Sequence, residues 1–312
     1  MALIYSKTTT AHPPLPSYGL GLQFYTNTVS AVAVYSNHVT GKAFVPVTTA
    51  ASVQRVIEIP AASFPLSLDL ATSGAGGLDT GAIAQNKGYG VRLITNAAGG
   101  APALLATLNG GTPTIPAAYA GGSQSDLIWF LSASADWAGG TTYDDLHPFA
   151  NVAPGHCVYQ AGGGGYVGEG IMLLENGAQH TESAAVDMAH VVPAPVADTA
   201  QEARGLAYLA GYAVSTDAST AANCDVLWSA DGRTTADGDT EDALELIHRF
   251  ADLRGSAGYA ANQWAKFEFP LVAAKTVMTA TATGTISTIL QYRYASGVTG
   301  RALDLWCTGW KL

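Results

Sequence analysis

Short runs in which apolar and polar residues alternate recur along almost the whole chain, and glycine, proline or asparagine separates them. Two such runs occupy residues 53–59 and 66–70. A period of two places successive side chains on opposite faces of a strand. Runs spaced about 8 to 15 residues apart are typical of a β-sandwich or jelly roll and not of βαβ units. The pattern predicts an all-β fold made of two antiparallel β-sandwich or jelly-roll-like domains.

Two stretches call for separate local predictions, one that fits either a helix or a strand and one that predicts a turn. Leu244, Ile247 and Phe250 share the spacing of one helix face, although residues 241–253 also alternate as a strand does. We favour a strand followed by a turn. Earlier in the sequence, the Asn176-Gly177 pair follows the apolar run at 170–174. Asn-Gly is a strong signal for a hairpin turn, so we predict a turn there.

A stretch rich in proline and alanine, residues 191–198, divides the chain. Pro193 and Pro195 alternate there with small apolar residues, which makes the backbone stiff and extended and suits a connector between domains. We therefore predict an N-terminal arm and opening strand at 1–30, a β-sandwich domain at 31–192 and a second β domain at 193–312.

The composition is poor in charge. Charged residues make up 12% of the 312 residues, hydrophobic residues make up 48%, and the net charge is −10. A surface so nearly neutral is expected where other subunits cover much of it. The 14 basic residues form no cluster, which argues against a nucleic-acid-binding surface. The composition thus favours a subunit of an assembly.

The sequence shows neither an export signal nor a membrane span. Pro13, Pro14 and Pro16 interrupt the N-terminal stretch in which a signal peptide needs an apolar helix. No apolar run reaches the length that crosses a bilayer. We expect a protein that is made in a cytoplasm and that stays there or leaves inside an assembled particle.

Residues 77–119 combine several local signals in a fixed order. Gly-Leu-Asp-Thr-Gly at 77–81 predicts a turn, because a turn-forming aspartate stands close to a φ-permissive glycine. The two apolar runs at 89–94 and 104–108 predict a hairpin, with a break at 96–100 between them. Pro113 opens Pro-Thr-Ile-Pro-Ala-Ala-Tyr, and it should end the second strand by about residue 112, since proline lacks an amide donor.

This succession resembles a segment that recurs in tail-fibre and related virion proteins of tailed bacteriophages, and it covers about a seventh of the chain. In that family the tyrosine is usually followed by two arginines and Ile-Gly, whereas Ala120 and Gly121 follow Tyr119 here. The resemblance implies a structural component of a phage particle, either a tail fibre, an adaptor or a baseplate subunit, which acts by assembly and host attachment. A head-surface decoration or fibre protein is the alternative position.

The same resemblance implies partners and a location. The partners are other virion proteins, further copies of the chain and a host cell-surface glycan, with neither nucleic acid nor membrane among them. The location is the virion, which is assembled in the host cytoplasm. No enzymatic activity and no cofactor are expected.

Asp79-Thr80-Gly81 also invites a catalytic hypothesis, because aspartic proteases of the retroviral type present a carboxylate in such a sequence. That chemistry needs two carboxylates that share a proton. The chain contains no second Asp-Thr-Gly or Asp-Ser-Gly. We therefore predict a structural turn at Asp79 and Gly81, and no catalytic residue.

Two further patterns resemble ligand-binding motifs. The glycines at 163–168 fit G-x-G-x-x-G, but no buried parallel strand precedes them and a strand, not a helix, follows. Asp237, Asp239 and Glu241 place carboxylates at alternate positions, yet the loop lacks the glycine and glutamate of an EF-hand. We predict no cofactor site and no metal site, and a looser calcium site on the acidic loop stays an open alternative.

Cysteine and histidine usage points the same way. Cys157, Cys224 and Cys307 are odd in number and far apart, which favours reduced, buried thiols over a disulfide framework. None of the seven histidines has the helical spacing of a zinc motif.

The C-terminal run 301–311 is the cleanest strand pattern. Strict alternation places Trp306 and Trp310 on one face and Cys307 on the other. Two large aromatic residues on the more polar face require cover, so we predict Trp306 and Trp310 to be assembly or interface residues.

The six tryptophans also support a function of another class, a carbohydrate-binding or carbohydrate-cleaving β-sandwich. A protein of this class would present an exposed tryptophan that stacks on a sugar ring. A glycosidase would in addition need two carboxylates about 5 to 9.5 Å apart.

Overall fold

The structure is a computed structural model, and the fold is all-β. It describes residues 21–28, 30–84, 87–108, 111–133, 146–147, 149–153, 155–159, 170–177, 184–186, 188, 190–193, 203–215, 222–229, 244–253, 261–272, 290–294 and 301–311. The helices in this part are two single 3₁₀ turns, Ala61–Ser63 and Ala117–Tyr119. No helix among the described residues is long and apolar enough to span a bilayer. The predicted all-β class is confirmed.

The chain divides into two compact units. Unit 1 holds the described residues between 21 and 159 together with His190–Pro193, and unit 2 holds those between 170 and 188 and between 203 and 311. The chain thus enters unit 2 before the proline-rich stretch, returns briefly to unit 1 and leaves again. The domain limits at 30 and 192 stay a prediction.

Unit 1 contains two sheets. Its strands are β1 (Leu22–Thr26), β2 (Ala31–Ser36), β3 (Ala43–Thr49), β4 (Gln54–Ile59), β5 (Leu66–Asp69), β6 (Gly77–Leu78), β7 (Lys87–Thr95), β8 (Ala103–Leu108), β9 (Ser123–Gln124), β10 (Trp129–Ala133), β11 (Phe149–Ala153) and β12 (His156–Tyr159). One sheet has the order β12-β11-β1-β2-β5 and is antiparallel throughout. The other has the order β4-β3-β9-β7-β8-β6, with β10 beside β7 and a parallel pair at β6 and β8.

Aromatic residues fill the space between these sheets. Phe24 of β1 stacks on Trp129 of β10, with ring centroids 4.8 Å apart and planes 9° from parallel. Phe149 of β11 meets the same indole at 5.7 Å. All three side chains are buried. Because Phe24 and Phe149 belong to one sheet and Trp129 to the other, this cluster holds unit 1 together as a sandwich.

Unit 2 also contains two sheets. Its strands are β13 (Ile171–Gly177), β14 (Ala184–Ala185), β15 (Ala203–Ser215), β16 (Ala222–Ser229), β17 (Leu244–Leu253), β18 (Ala261–Val272), β19 (Leu290–Tyr294) and β20 (Arg301–Lys311). One sheet has the order β18-β15-β20-β13 and the other the order β14-β19-β16-β17. Gly211 of β15 lies under Phe250 of β17, where a Cβ atom would come within 2.7 Å of the ring. The missing side chain therefore lets the two sheets pack closely.

Two local predictions meet different outcomes in unit 2. The ambiguous stretch is a strand, β17, because its residues pair with β16 from Ala222↔Leu253 to Ser229↔Leu244. The hairpin turn predicted at Asn176-Gly177 is wrong, since both residues lie within β13. That strand pairs instead with β20, as Gly177↔Leu303 shows. Pairing with a distant strand overrides the local turn signal there.

Candidate functional site

The segment at 77–119 forms one connected part of unit 1. The carboxyl group of Asp79 accepts a hydrogen bond from the backbone N–H of Thr80 at 2.8 Å and another from that of Thr114 at 3.0 Å. The N–H of Asp79 donates to Ala106 in β8. Gly81 has a φ of 80°, which an L side chain rarely adopts. Asp79 therefore joins the opening turn to the Pro-Thr-Ile-Pro stretch.

The hairpin within this segment agrees with the prediction. Strands β7 and β8 pair from Tyr89↔Leu108 to Ile94↔Ala103. The connecting loop closes on Asn96, whose side-chain oxygen accepts the N–H of Gly100 at 2.9 Å. The second strand ends at Leu108, ahead of Pro113, as the missing proline donor requires.

We expect Asp79→Ala to lower the free energy of unfolding by about 1 kcal/mol, because two backbone donors lose a charged acceptor at a partly solvated site. Urea unfolding measures the loss. Asp79→Asn is the matched control, since it keeps one acceptor oxygen and should cost less. A protein that cleaves peptides at acid pH, and stops when Asp79 is changed, would contradict the structural role.

The described residues hold no group of three or more histidine, cysteine, aspartate or glutamate side chains that could bind a metal ion. The glycine motif at 163–168 and the acidic loop with Asp237, Asp239 and Glu241 lie outside the described residues. Cys157, Cys224 and Cys307 are all buried, and no disulfide bond joins them, as predicted. Burial raises the pKa of Cys307 to about 12, which makes this thiol a poor nucleophile.

Charged and titratable groups on β16 and β17 are engaged in structural contacts. Arg249 forms a bidentate ion pair with the buried carboxyl group of Asp225, at 2.6 and 3.0 Å. The hydrogen bonds that Arg249 donates to Asp225, together with the negative charge of that carboxylate, raise the pKa of Arg249 further. The ring of His248 stacks on Phe267 at 5.0 Å, and burial lowers the pKa of His248. These contacts give Asp225, His248 and Arg249 structural roles within unit 2.

Trp306 and Trp310 lie on opposite faces of β20, so the prediction that they share a face is wrong. Leu209 pairs with Cys307, but the preceding residue, Tyr208, pairs with Gly309. Thr308 is therefore an extra residue, a β-bulge, and it reverses the alternation beyond it. Trp310 consequently shares the face of Cys307 and is fully buried, whereas Trp306 occupies the other face and is 6% exposed.

Among the tryptophans of unit 2 whose side chains the structure describes, Trp264 on the edge strand β18 is the exposed one. Its ring centroid lies 5.3 Å from that of Trp306, with the planes 17° apart, and 4.7 Å from that of Tyr212. The indole of Trp264 is 51% exposed. We call Tyr212, Trp264 and Trp306 the aromatic platform. Its three strands, β15, β18 and β20, are neighbours in one sheet.

Polar residues surround the platform on the same face of the sheet. Asn262 lies two residues before Trp264 and Lys266 lies two residues after it. Because alternate residues of a strand share a face, all three side chains lie on the same side of β18. Asp304 pairs with Tyr212 from the opposite side, and Trp306 pairs with Ala210. The small side chain of Ala210 leaves room for the Trp306 indole to reach Trp264.

Sequence reasoning named Trp306 and Trp310 but missed Trp264 as a site residue. The apolar alternation at 267–269 predicts a strand over those residues only, whereas β18 begins at Ala261. The alternation of Asn262, Trp264 and Lys266 with Gln263 and Ala265 was the signal that could have found it.

Comparison with known proteins assigns no relative. No protein-family model, no curated protein and no solved structure matches this chain.

Proposed function

We propose that this chain is a structural component of a bacteriophage particle, a tail fibre, adaptor or baseplate subunit that acts by assembly and host attachment. The observation that carries the proposal is the segment at 77–119, with its resemblance to virion proteins. Its turn, hairpin and proline-rich exit are joined by the hydrogen bonds of Asp79, and this connection lets the segment fold as one structural unit.

The surface of unit 1 supports the assembly part of the proposal. Tyr25 and Tyr35 are each 45% exposed and meet edge to face on neighbouring strands. Val152 on β11 is exposed as well. A monomer with few charges keeps such groups in water at some risk of aggregation, so cover by another subunit is favourable.

A head-surface decoration or fibre protein is the alternative position for the same structural role. Nothing in the segment at 77–119 distinguishes a head from a tail location, because the turn and hairpin serve either assembly equally.

The second candidate class, a carbohydrate-binding or carbohydrate-cleaving sandwich, gains support from Trp264. An indole half open to solvent and backed by a second indole is the arrangement that stacking on a sugar requires. Binding is the form of this candidate that the platform favours, because a glycosidase needs a pair of carboxyl groups in addition.

Gold-labelled antibodies against the purified protein, viewed by electron microscopy on particles from cells that carry its gene, test the proposal. We expect label at the tail, and stable oligomers of the free protein in light scattering. Label at the head would support the alternative position. Particles without label, from cells in which the chain is abundant, would contradict a virion role.

A further inference from the structure

We propose that the aromatic platform of Tyr212, Trp264 and Trp306 binds a neutral pyranose ring of a glycan. The inference deepens the attachment role and rests on it for its biological purpose. It does not depend on whether the chain occupies the tail or the head of a particle.

The geometry provides a flat apolar surface that is held in place before binding. Trp306 is almost fully buried and lies nearly parallel to Trp264, so it fixes the outer indole from behind. Tyr212 adds a second contact at 4.7 Å. A ring fixed in this way loses little conformational entropy when a ligand stacks on it. About half of the Trp264 surface stays open for that contact.

The chemistry of a sugar matches such a surface. The C–H groups on one face of a pyranose carry partial positive charge and are attracted to the negative face of an indole. The hydroxyl groups project around the ring edge and need hydrogen-bonding partners there. Asn262 and Lys266 flank Trp264 along β18, and Asp304 lies across β15. An amide, an ammonium group and a carboxylate offer both donors and acceptors to hydroxyl groups.

The charges of this face and of the whole chain favour neutral sugars. On the face itself, Asp304 and the exposed Glu268 are balanced by Lys266 and by the exposed Lys311, which pairs with Leu206. The whole chain carries a net charge of −10. Acidic glycans such as sialylated or uronate chains would meet repulsion, whereas a neutral hexose or N-acetylhexosamine would not.

The exposed aromatic residues in the described part of unit 1 lack this combination. Tyr25 and Tyr35 meet edge to face at 78°, so neither supports the other as a flat stack. Phe44 meets His38 at 85° in the same manner. These pairs therefore serve as internal controls, with similar exposure but a different geometry.

The full-length protein on an array of neutral and acidic glycans provides the test, followed by titration of the strongest neutral binder in solution. We expect binding to neutral glycans. Trp264→Ala should weaken it at least about tenfold, and Trp264→Tyr should retain most of it because a flat ring remains. Phe44→Ala is the matched control, because it removes an exposed aromatic ring of unit 1, and it should leave the affinity unchanged. Circular dichroism of each variant establishes that it is folded.

Three results would overturn the inference. The first is that the intact protein binds no neutral glycan on the array, and the second is that it prefers acidic glycans. The third is that Trp264→Ala binds as tightly as the unaltered protein. Loss of oligomers in Trp264→Ala, with glycan binding unchanged, would identify the platform as a subunit contact instead. Failure on the array together with particles labelled by the antibody would place the attachment site elsewhere and leave the virion role standing.

Discussion

Replacing Trp129 by alanine should lower the free energy of unfolding by about 3–5 kcal/mol, the range for removing a large aromatic side chain from a packed core. Trp129 is fully buried and stacks on Phe24 at 4.8 Å, and it also meets Phe149. The change would leave a cavity between the two sheets of unit 1, and rigid strands close such a cavity poorly.

Urea unfolding followed by far-ultraviolet circular dichroism measures this effect. Trp264→Ala is the matched comparison, because it removes the same side chain from an exposed position and should cost only about 1 kcal/mol or less. Trp129→Phe should fall between the two, since it keeps a ring beside Phe24. Equal losses for Trp129→Ala and Trp264→Ala would contradict the assignment of Trp129 to the core of a sandwich.

Local signals predicted the parts of this fold that form between neighbours in sequence. The opening hairpin is an example: alternating runs at 19–24 and 29–35 flank Thr-Asn-Thr in the sequence and predict a hairpin, and β1 and β2 pair from Leu22↔Ser36 to Thr26↔Val32. The hairpin of β7 and β8 is another, with its loop closed by Asn96. In both cases the turn residues and the period of two act over a few residues only.

Long-range pairing set the features that were predicted wrongly. Strand β13 extends through Asn176-Gly177 because its partner is β20, more than a hundred residues later in the sequence. No local pattern encodes that partner, and a continuing ladder satisfies the backbone groups that a turn would otherwise need to bond.

The bulge at Thr308 shows how one residue alters a whole face. Strict alternation is the only rule that the sequence offers, and it puts Trp306 and Trp310 together. One unpaired residue beside Tyr208 separates them, with Trp310 in the core and Trp306 beneath Trp264. Pairing with distant strands therefore decides which tryptophan of β20 lies in the core and which lies in the aromatic platform.

Ending the chain after Asp304 should prevent unit 2 from folding. In unit 2, β20 lies between β15 and β13, and it pairs with β15 from Leu206↔Lys311 to Ser215↔Arg301. The deletion removes the fully buried Leu305, Cys307 and Trp310. It also leaves two long strand edges unpaired, and such edges promote aggregation. We expect loss of strand signal in circular dichroism and aggregates in light scattering.

Point variants distinguish a central strand from an assembly element. Trp310→Ala removes a core side chain and should destabilise unit 2 by about 3–5 kcal/mol whatever the protein concentration. If β20 acted instead through a neighbouring subunit, the loss would depend on concentration, because subunit contacts stabilise by mass action. Hydrogen exchange gives the direct measurement: amides of β15 should lose protection in the truncated chain. A truncated protein that keeps protected β15 amides and assembles as the intact one does would refute the role of β20 as a central strand, since β15 would then be stable without its neighbour.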